Sequence, residues 1–139
     1  MGYDMNLFHF WGCILPIEIM QQFTVQLTQQ TRPDVDLSDP DMLEDVIAFG
    51  WIGPEDIGEY FGIEVFHSAS DTKGITIFAC ATKPVKIFDY RKFQQTGEDV
   101  LKNFEFPAPT YRQVEDLTSK LNQMGIQAEI VPCVGYFAG

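Results

Sequence analysis

The chain has 139 residues, of which 45% are hydrophobic and 14% aromatic, and its formal net charge is −11 at pH 7. This length predicts a single domain over residues 1–139 with one apolar core. The acidic charge argues against direct binding to nucleic acids, because contacts with phosphates need Lys and Arg. No apolar run is long enough to span a bilayer. Three widely spaced cysteines without a C-x-x-C pair are typical of a reducing compartment, so we expect a cytoplasmic protein with free thiols.

The first strand is predicted at residues 3–11, which alternate between apolar and polar and then become apolar on both faces, as a central strand does. The next segment, residues 16–30, is ambiguous. Apolar side chains at odd positions fit a strand, whereas Met20, Phe23 and Leu27 fit a helical stripe. Because more positions match a period of two, and because Thr and Val prefer strands, we predict a strand here.

Two short helices follow. Asp39 can cap a helix that has Pro40 as its first residue and ends before Gly50. Gly-Pro-Glu-Asp at residues 53–56 starts a second helix, which Gly62 ends.

The clearest hairpin signal lies at residues 63–69 and 75–81. These two runs flank Asp-Thr-Lys-Gly at 71–74, which fits a type I turn closed by Gly in the left-handed conformation. Pro84 then predicts an edge or a bulge before a strand at 85–88.

A short helix is predicted from Thr96. The strongest helix signal comes later, where Thr110 and Gln113 form a capping box before an amphipathic stripe that ends at Gly125. A final strand is predicted at 127–131.

These elements give the order β-α-β-β-α-β, which is the split βαβ pattern. The predicted fold class is α+β, with an antiparallel sheet and helices on one face. Its most specific form is a ferredoxin-like sandwich with inserts at 12–36 and 83–108.

The net charge is concentrated in residues 33–72, which we call the acidic segment. It contains eleven acids and no Lys or Arg, whereas the nine acids of the remaining chain balance its nine bases. A carboxylate in the first turn of a helix stabilises that helix by about 0.3–1 kcal/mol. Only four of the eleven acids lie in predicted first turns, so this effect does not explain the other seven. The eleven acids are Asp34, Asp36, Asp39, Asp41, Glu44, Asp45, Glu55, Asp56, Glu59, Glu64 and Asp71.

The leading functional hypothesis is a non-enzymatic module that docks on a basic protein surface. Such a module acts as an inhibitor or immunity-type partner of a nucleic-acid-handling protein, because its carboxylates replace phosphates electrostatically. The residues expected to contact the partner are Asp36, Asp41, Glu44, Asp45, Glu55, Asp56 and Glu59. A solvated acidic face without any partner and an assembly or structural protein are alternatives that stay open.

A carboxylate-based metal protein or enzyme is a further alternative, using Asp34–Asp45 with His67. The spacing of these acids is similar to that of an EF-hand loop, but it lacks Gly at position 6 and Glu at position 12. A couple of Cys80 and His67 across the hairpin lacks a third group to orient it. We therefore predict no catalytic residue, no cofactor and no metal site.

The acidic segment also contains four aromatic residues. Trp and Tyr are typical anchors of interfaces, but Trp51 lies between helix ends, which is more common for a core residue, so we favour a role in the core. These residues are Phe49, Trp51, Tyr60 and Phe61.

Overall fold

A five-stranded antiparallel sheet forms the centre of the residues that the computed structural model describes, which are 5–70, 74–89 and 108–138. Its strands are β1 (Met5–Ile14), β2 (Glu64–Ser70), β3 (Gly74–Cys80), β4 (Val85–Asp89) and β5 (Val131–Ala138). Four helices accompany it in these residues. They are α1 (Ile17–Thr31), α2 (Pro40–Ile47), α3 (Pro54–Phe61) and α4 (Tyr111–Gln123). The predicted turn at 71–73 and the helix predicted from Thr96 lie outside the described residues.

Strand β1 is the central strand, as its two apolar faces predict. Strand β5 pairs with one of its edges along residues 5–12. Its other edge pairs with β3 at residues 12–14 and with β4 at residues 6–9. Strand β2 pairs with the far edge of β3, which confirms the predicted hairpin.

Between β3 and β4, residues 81–84 are not part of a strand, so the pairing with β1 is interrupted there. There the Ala81 N–H donates to the Trp11 carbonyl at 2.6 Å, and the Trp11 N–H donates to the Thr82 hydroxyl at 2.9 Å. Pro84, which has no N–H to donate, lies in this interruption. The interruption expected at Pro84 is therefore confirmed.

Helix α1 contradicts the strand predicted at residues 16–30. A helical stripe does exist, but two of its four members are threonines, so it is weakly apolar in the sequence. The Thr24 hydroxyl donates to the Ile52 carbonyl at 2.8 Å, and the Thr28 hydroxyl donates to the Thr24 carbonyl at 2.6 Å. These bonds remove the cost of burying the two hydroxyls. The buried stripe consists of Met20, Thr24, Leu27 and Thr28.

The predicted helix boundaries around α2 and α3 are confirmed. Asp39 accepts a hydrogen bond from the Asp41 N–H at 3.0 Å, and Gly62 ends α3 in the left-handed conformation with φ of 72°. After α2, however, the left-handed residue is Phe49, with φ of 63°, and not Gly50. The Phe49 side chain packs against the core.

Helix α4 has both predicted ends. The Thr110 N–H donates to Gln113 Oε1 at 2.8 Å, and the Gln113 N–H donates to the Thr110 hydroxyl at 3.2 Å. Gly125 is left-handed, with φ of 78°. The Ile126 N–H donates to the Leu121 carbonyl at 2.9 Å, which completes the Schellman arrangement.

The last strand was predicted too early. Residues 127–130 are not a strand, and β5 runs from Val131 to Ala138 with Pro132 opposite Trp11. A proline is compatible with a strand at the margin of a sheet, because its missing N–H can face away from the neighbouring strand. Strand β5 pairs only with β1 among the described residues, so Pro132 does not end the pairing.

Helices α1, α3 and α4 pack on one face of the sheet, as predicted. The main core joins Cys13 of β1 and Ile77 of β3 to apolar side chains of these helices. Helix α2 packs against α1. The predicted α+β class is therefore confirmed for this single small domain, whereas the ferredoxin-like form stays a prediction. The helical members of the core are Met20, Leu27, Ile57, Leu117 and Leu121.

The opposite face of the sheet carries an aromatic cluster. Phe10 is completely buried, and its ring centroid lies 5.2 Å from those of both Phe66 and Phe78. The sheet curls around this cluster, because β2 approaches β5 although β3 and β1 separate them in the pairing order. There the Ser68 hydroxyl donates to the Tyr136 carbonyl at 3.1 Å and accepts from the Tyr136 N–H at 3.3 Å.

Candidate interaction surface

The acidic segment covers the loop after α1, helices α2 and α3, and the start of β2. Ten of its eleven acids lie in the described residues, and all ten are exposed. The seven acids predicted to contact a partner are among them. Asp71 lies outside the described residues.

Three of the ten carboxylates hydrogen-bond to their own backbone neighbourhood. Asp36 accepts from the Ser38 hydroxyl and, at 3.0 Å, from the Ser38 N–H. These bonds, that of the hydroxyl first, lower the pKa of Asp36. Asp39 caps α2, and Asp56 accepts from the Gly53 N–H at 3.1 Å at the start of α3. These three acids help to fix the local fold.

Two further acids have a basic side chain nearby. Arg32 Nε lies 3.5 Å from Asp34, and His67 Nδ1 lies 3.4 Å from Glu55. Exposed pairs of this kind contribute only about 0–1 kcal/mol. These pairs involve only two of the ten described acids, so most of the negative charge of the segment has no paired cation among the described residues.

The remaining five acids form no ion pair with any described residue. They project from α2, α3 and the start of β2, where no Lys or Arg of the segment accompanies them. Lys120 of α4 comes close to the end of α3, but it donates to the Gly62 carbonyl at 2.7 Å and pairs with Asp116 at 2.9 Å. The surface charge of the two helices is thus left to solvent. The five acids are Asp41, Glu44, Asp45, Glu59 and Glu64.

The acids at 34–45 do not converge as metal ligands. Asp34 faces Arg32, Asp36 bonds to Ser38, and Asp39 caps α2. Within the described ranges, no group of three His, Cys, Asp or Glu side chains could hold a metal ion. His67 faces Glu55 of α3 and does not join the 34–45 acids in a common site.

The couple of Cys80 and His67 is not formed. Cys80 lies opposite Glu64 in the hairpin and His67 lies opposite Ile77. Because successive side chains of a strand point to opposite faces, Cys80 and His67 project from different faces of the sheet. Burial also raises the pKa of Cys80 to about 12, which opposes formation of a nucleophilic thiolate.

His9 is a packed residue of the central strand. Its side chain is buried, and Nδ1 lies 3.1 Å from the Cys133 carbonyl oxygen. Burial lowers the pKa of His9, and the hydrogen bond to Cys133 partly opposes this effect. The imidazole therefore belongs to the core of the sheet.

The three thiols should differ in reactivity. Burial raises the pKa of Cys13 to about 11 and that of Cys80 to about 12, whereas Cys133 is only half-buried. With a disulfide reagent at about pH 8, we expect Cys133 to react first and the other two about tenfold more slowly. In denaturant, titration should give three free thiols per chain. One free thiol in denaturant, or a Cys80 as fast as Cys133, would contradict these expectations.

The core interpretation of the aromatic residues is correct for Phe49 and Phe61, which pack against the main core. Trp51 is half-buried, with the Arg32 guanidinium 4.9 Å from its ring centroid. The interpretation is wrong for Tyr60, which is 64% exposed on α3, next to Glu59. Ile57 is buried and lies three residues before Tyr60, and residues at this spacing are neighbours on a helix, so helical spacing alone does not predict the exposure of Tyr60.

Comparison with models of protein families, with curated proteins and with solved structures found no match. None of the helices in the described residues combines the length and the apolar character that crossing a membrane requires.

Proposed function

We propose that the protein is a non-enzymatic acidic module that docks on a basic surface of another protein. The observation that supports this proposal is the exposure of ten carboxylates, eight of which make no ion pair with the described residues. Like charges held together on rigid helices repel one another and lower stability. A basic partner would neutralise these carboxylates and remove the repulsion between them. Association with such a partner would therefore lower the free energy of the protein.

The kind of partner follows from the arrangement of the charges. Carboxylates along α2 and α3 form a negative field on regular secondary structure, as phosphates do along a nucleic acid. We propose that the partner is a nucleic-acid-handling protein and that this module inhibits it or confers immunity to it in the cytoplasm. Association through such a field is fast and sensitive to salt.

Reversing the charge of two acids on α2 tests the proposal. Glu44→Lys combined with Asp45→Lys should lower the association rate with the partner by about tenfold or more at low ionic strength, because steering depends on the local potential. The matched control is Glu115→Lys with Glu129→Lys, which changes the net charge equally at exposed positions outside the acidic segment.

The measurement is a pull-down from the source cell at low and at high salt, followed by association kinetics of the captured protein. We expect the wild type and the control pair to capture a basic, nucleic-acid-handling protein at low salt only. An equal loss for both double variants, or no capture by the wild type at low salt, would contradict the proposal.

A further inference from the structure

A groove of about 560 Å³ runs between α1 and α2. Val25 of α1 and Ile47 of α2 contribute apolar side chains to it, and Glu18 lies on its wall. The groove is wide open to solvent, whereas sites for small ligands enclose most of the ligand surface. The residues that line it include no Lys, Arg or His. The groove is therefore a concave, partly apolar region beside the unneutralised acids of α2.

One wall of the groove consists of uncharged amides. Gln22, Gln26 and Gln29 are exposed and follow one another at intervals of four and three residues on α1, so they lie on one side of the helix. A fourth, Gln21, donates to the Ile47 carbonyl at 3.5 Å and joins the two helices. Each glutamine offers two donors and an acceptor without charge. This wall can therefore bind polar backbone groups without adding to the repulsion between carboxylates.

Helix α2 contributes Ile47 to the lining, and it carries a further apolar residue and an acid beside the groove. Leu43 is 37% exposed and precedes Ile47 by one helical turn, so it extends the apolar strip of α2. Glu44, three residues before Ile47, lies on the neighbouring side of the helix. Neither Glu44 nor Glu18 forms an ion pair with the described residues. Apolar contact and negative charge are thus available side by side.

We propose that this groove receives a basic polypeptide segment that carries an apolar side chain between Lys or Arg residues. The inference rests on the proposed function and identifies where the partner's chain is held. The apolar side chain packs against Val25 and Ile47, which line the groove. The flanking cations approach Glu18 and Glu44, and the backbone of the segment meets the glutamines.

Two synthetic peptides of about twelve residues test this inference. One alternates Lys with Leu so that one face is apolar, and the other replaces every Leu with Ser at unchanged charge. Binding is measured by fluorescence anisotropy at low salt. We expect the Lys–Leu peptide to bind the wild type about tenfold more tightly than the Lys–Ser peptide, because only the former fills the apolar part of the groove.

Two single substitutions locate the binding. Gln26→Lys introduces a cation into the groove and should abolish the advantage of the Lys–Leu peptide. Gln30→Lys, which makes the same change of charge at an exposed residue outside the groove, should preserve it. Melting temperatures of both variants serve to show that neither has lost its fold.

The outcomes separate the inference from the proposed function. Equal, salt-sensitive binding of the two peptides, or an equal effect of the two substitutions, would overturn the groove and leave the acidic docking face in place. Absence of binding by both peptides would overturn the groove, while the pull-down with Glu44→Lys and Asp45→Lys decides the docking function independently.

Discussion

Gly12→Ala is expected to destabilise the protein by about 3 kcal/mol or more. Gly12 lies near the end of β1, where it pairs with Cys80 on one side and Val131 on the other. A Cβ built on Gly12 would overlap the carbonyl oxygen of Ala79 and lie 3.3 Å from the Cα of Cys80. Both neighbours are backbone atoms of a buried strand, so relief requires β3 to move away from β1 and breaks the ladder.

Gly53→Ala is the matched control for Gly12→Ala. The nearest atom to a Cβ at Gly53 is Glu55 Oε2 at 3.5 Å, which is an ordinary contact with a flexible side chain. We expect a loss of about 1 kcal/mol or less for this control, because Gly53 is the N-cap of α3 and Ala is a poorer N-cap than Gly. The measurement is equilibrium unfolding in urea, followed by tryptophan fluorescence. A free energy of unfolding for Gly12→Ala within about 0.5 kcal/mol of wild type would show that β3 does not approach Gly12 in this way.

Phe10→Ala is expected to cost about 3–5 kcal/mol, the range for truncating a fully buried aromatic side chain. Phe10 has no exposed surface, and the rings of Phe66 and Phe78 both contact it. Removing its ring leaves a cavity that cannot collapse easily, because Phe66 and Phe78 are fixed to one another by the hairpin register. The loss should therefore appear as an unfolding transition at lower urea concentration.

Ile14→Ala, on the same face of the same strand, provides the comparison. Ile14 is 59% exposed, so its truncation should cost less than about 1 kcal/mol. Urea unfolding with near-UV circular dichroism reports both stability and aromatic packing. If Phe10→Ala were no more destabilising than Ile14→Ala, the aromatic cluster would not be a core.

Local signals in the sequence predicted most of the helix boundaries. These signals act on residues no more than four positions away, so they can be predicted without knowledge of the tertiary structure. They come from Asp39, the pair Thr110–Gln113 and Gly125. Phe49 is the exception. It takes the left-handed conformation in place of Gly50, and its packing against the core explains a conformation that costs about 1–2 kcal/mol.

The errors of sequence interpretation have tertiary causes. The strand predicted at 16–30 was wrong because Thr24 is buried through a hydrogen bond to Ile52, a partner 28 residues away. The end of β5 was misplaced because Pro132 is tolerated only by virtue of its position at the sheet margin. In both cases the deciding contact joins segments that are distant in sequence.

The sequence also predicted part of the candidate surface. Charge bias in residues 33–72 predicted exposed acids, and the ten described acids are exposed. The sequence could not separate Asp36, which is bonded to Ser38, from Glu44, which is left to solvent. The sequence also did not predict the groove beside Gln26, because the groove forms only when α1 is a helix that packs against α2.

The contact between Ser68 and Tyr136 affects the tendency of this protein to aggregate with other copies of itself. Unsatisfied N–H and C=O groups along a sheet margin can template the addition of a foreign strand, which is a route to aggregation. One hydroxyl group occupies both the N–H and the C=O of Tyr136, so this position on β5 is closed to such pairing. The Ser68 side chain therefore limits edge-to-edge pairing at this position of β5.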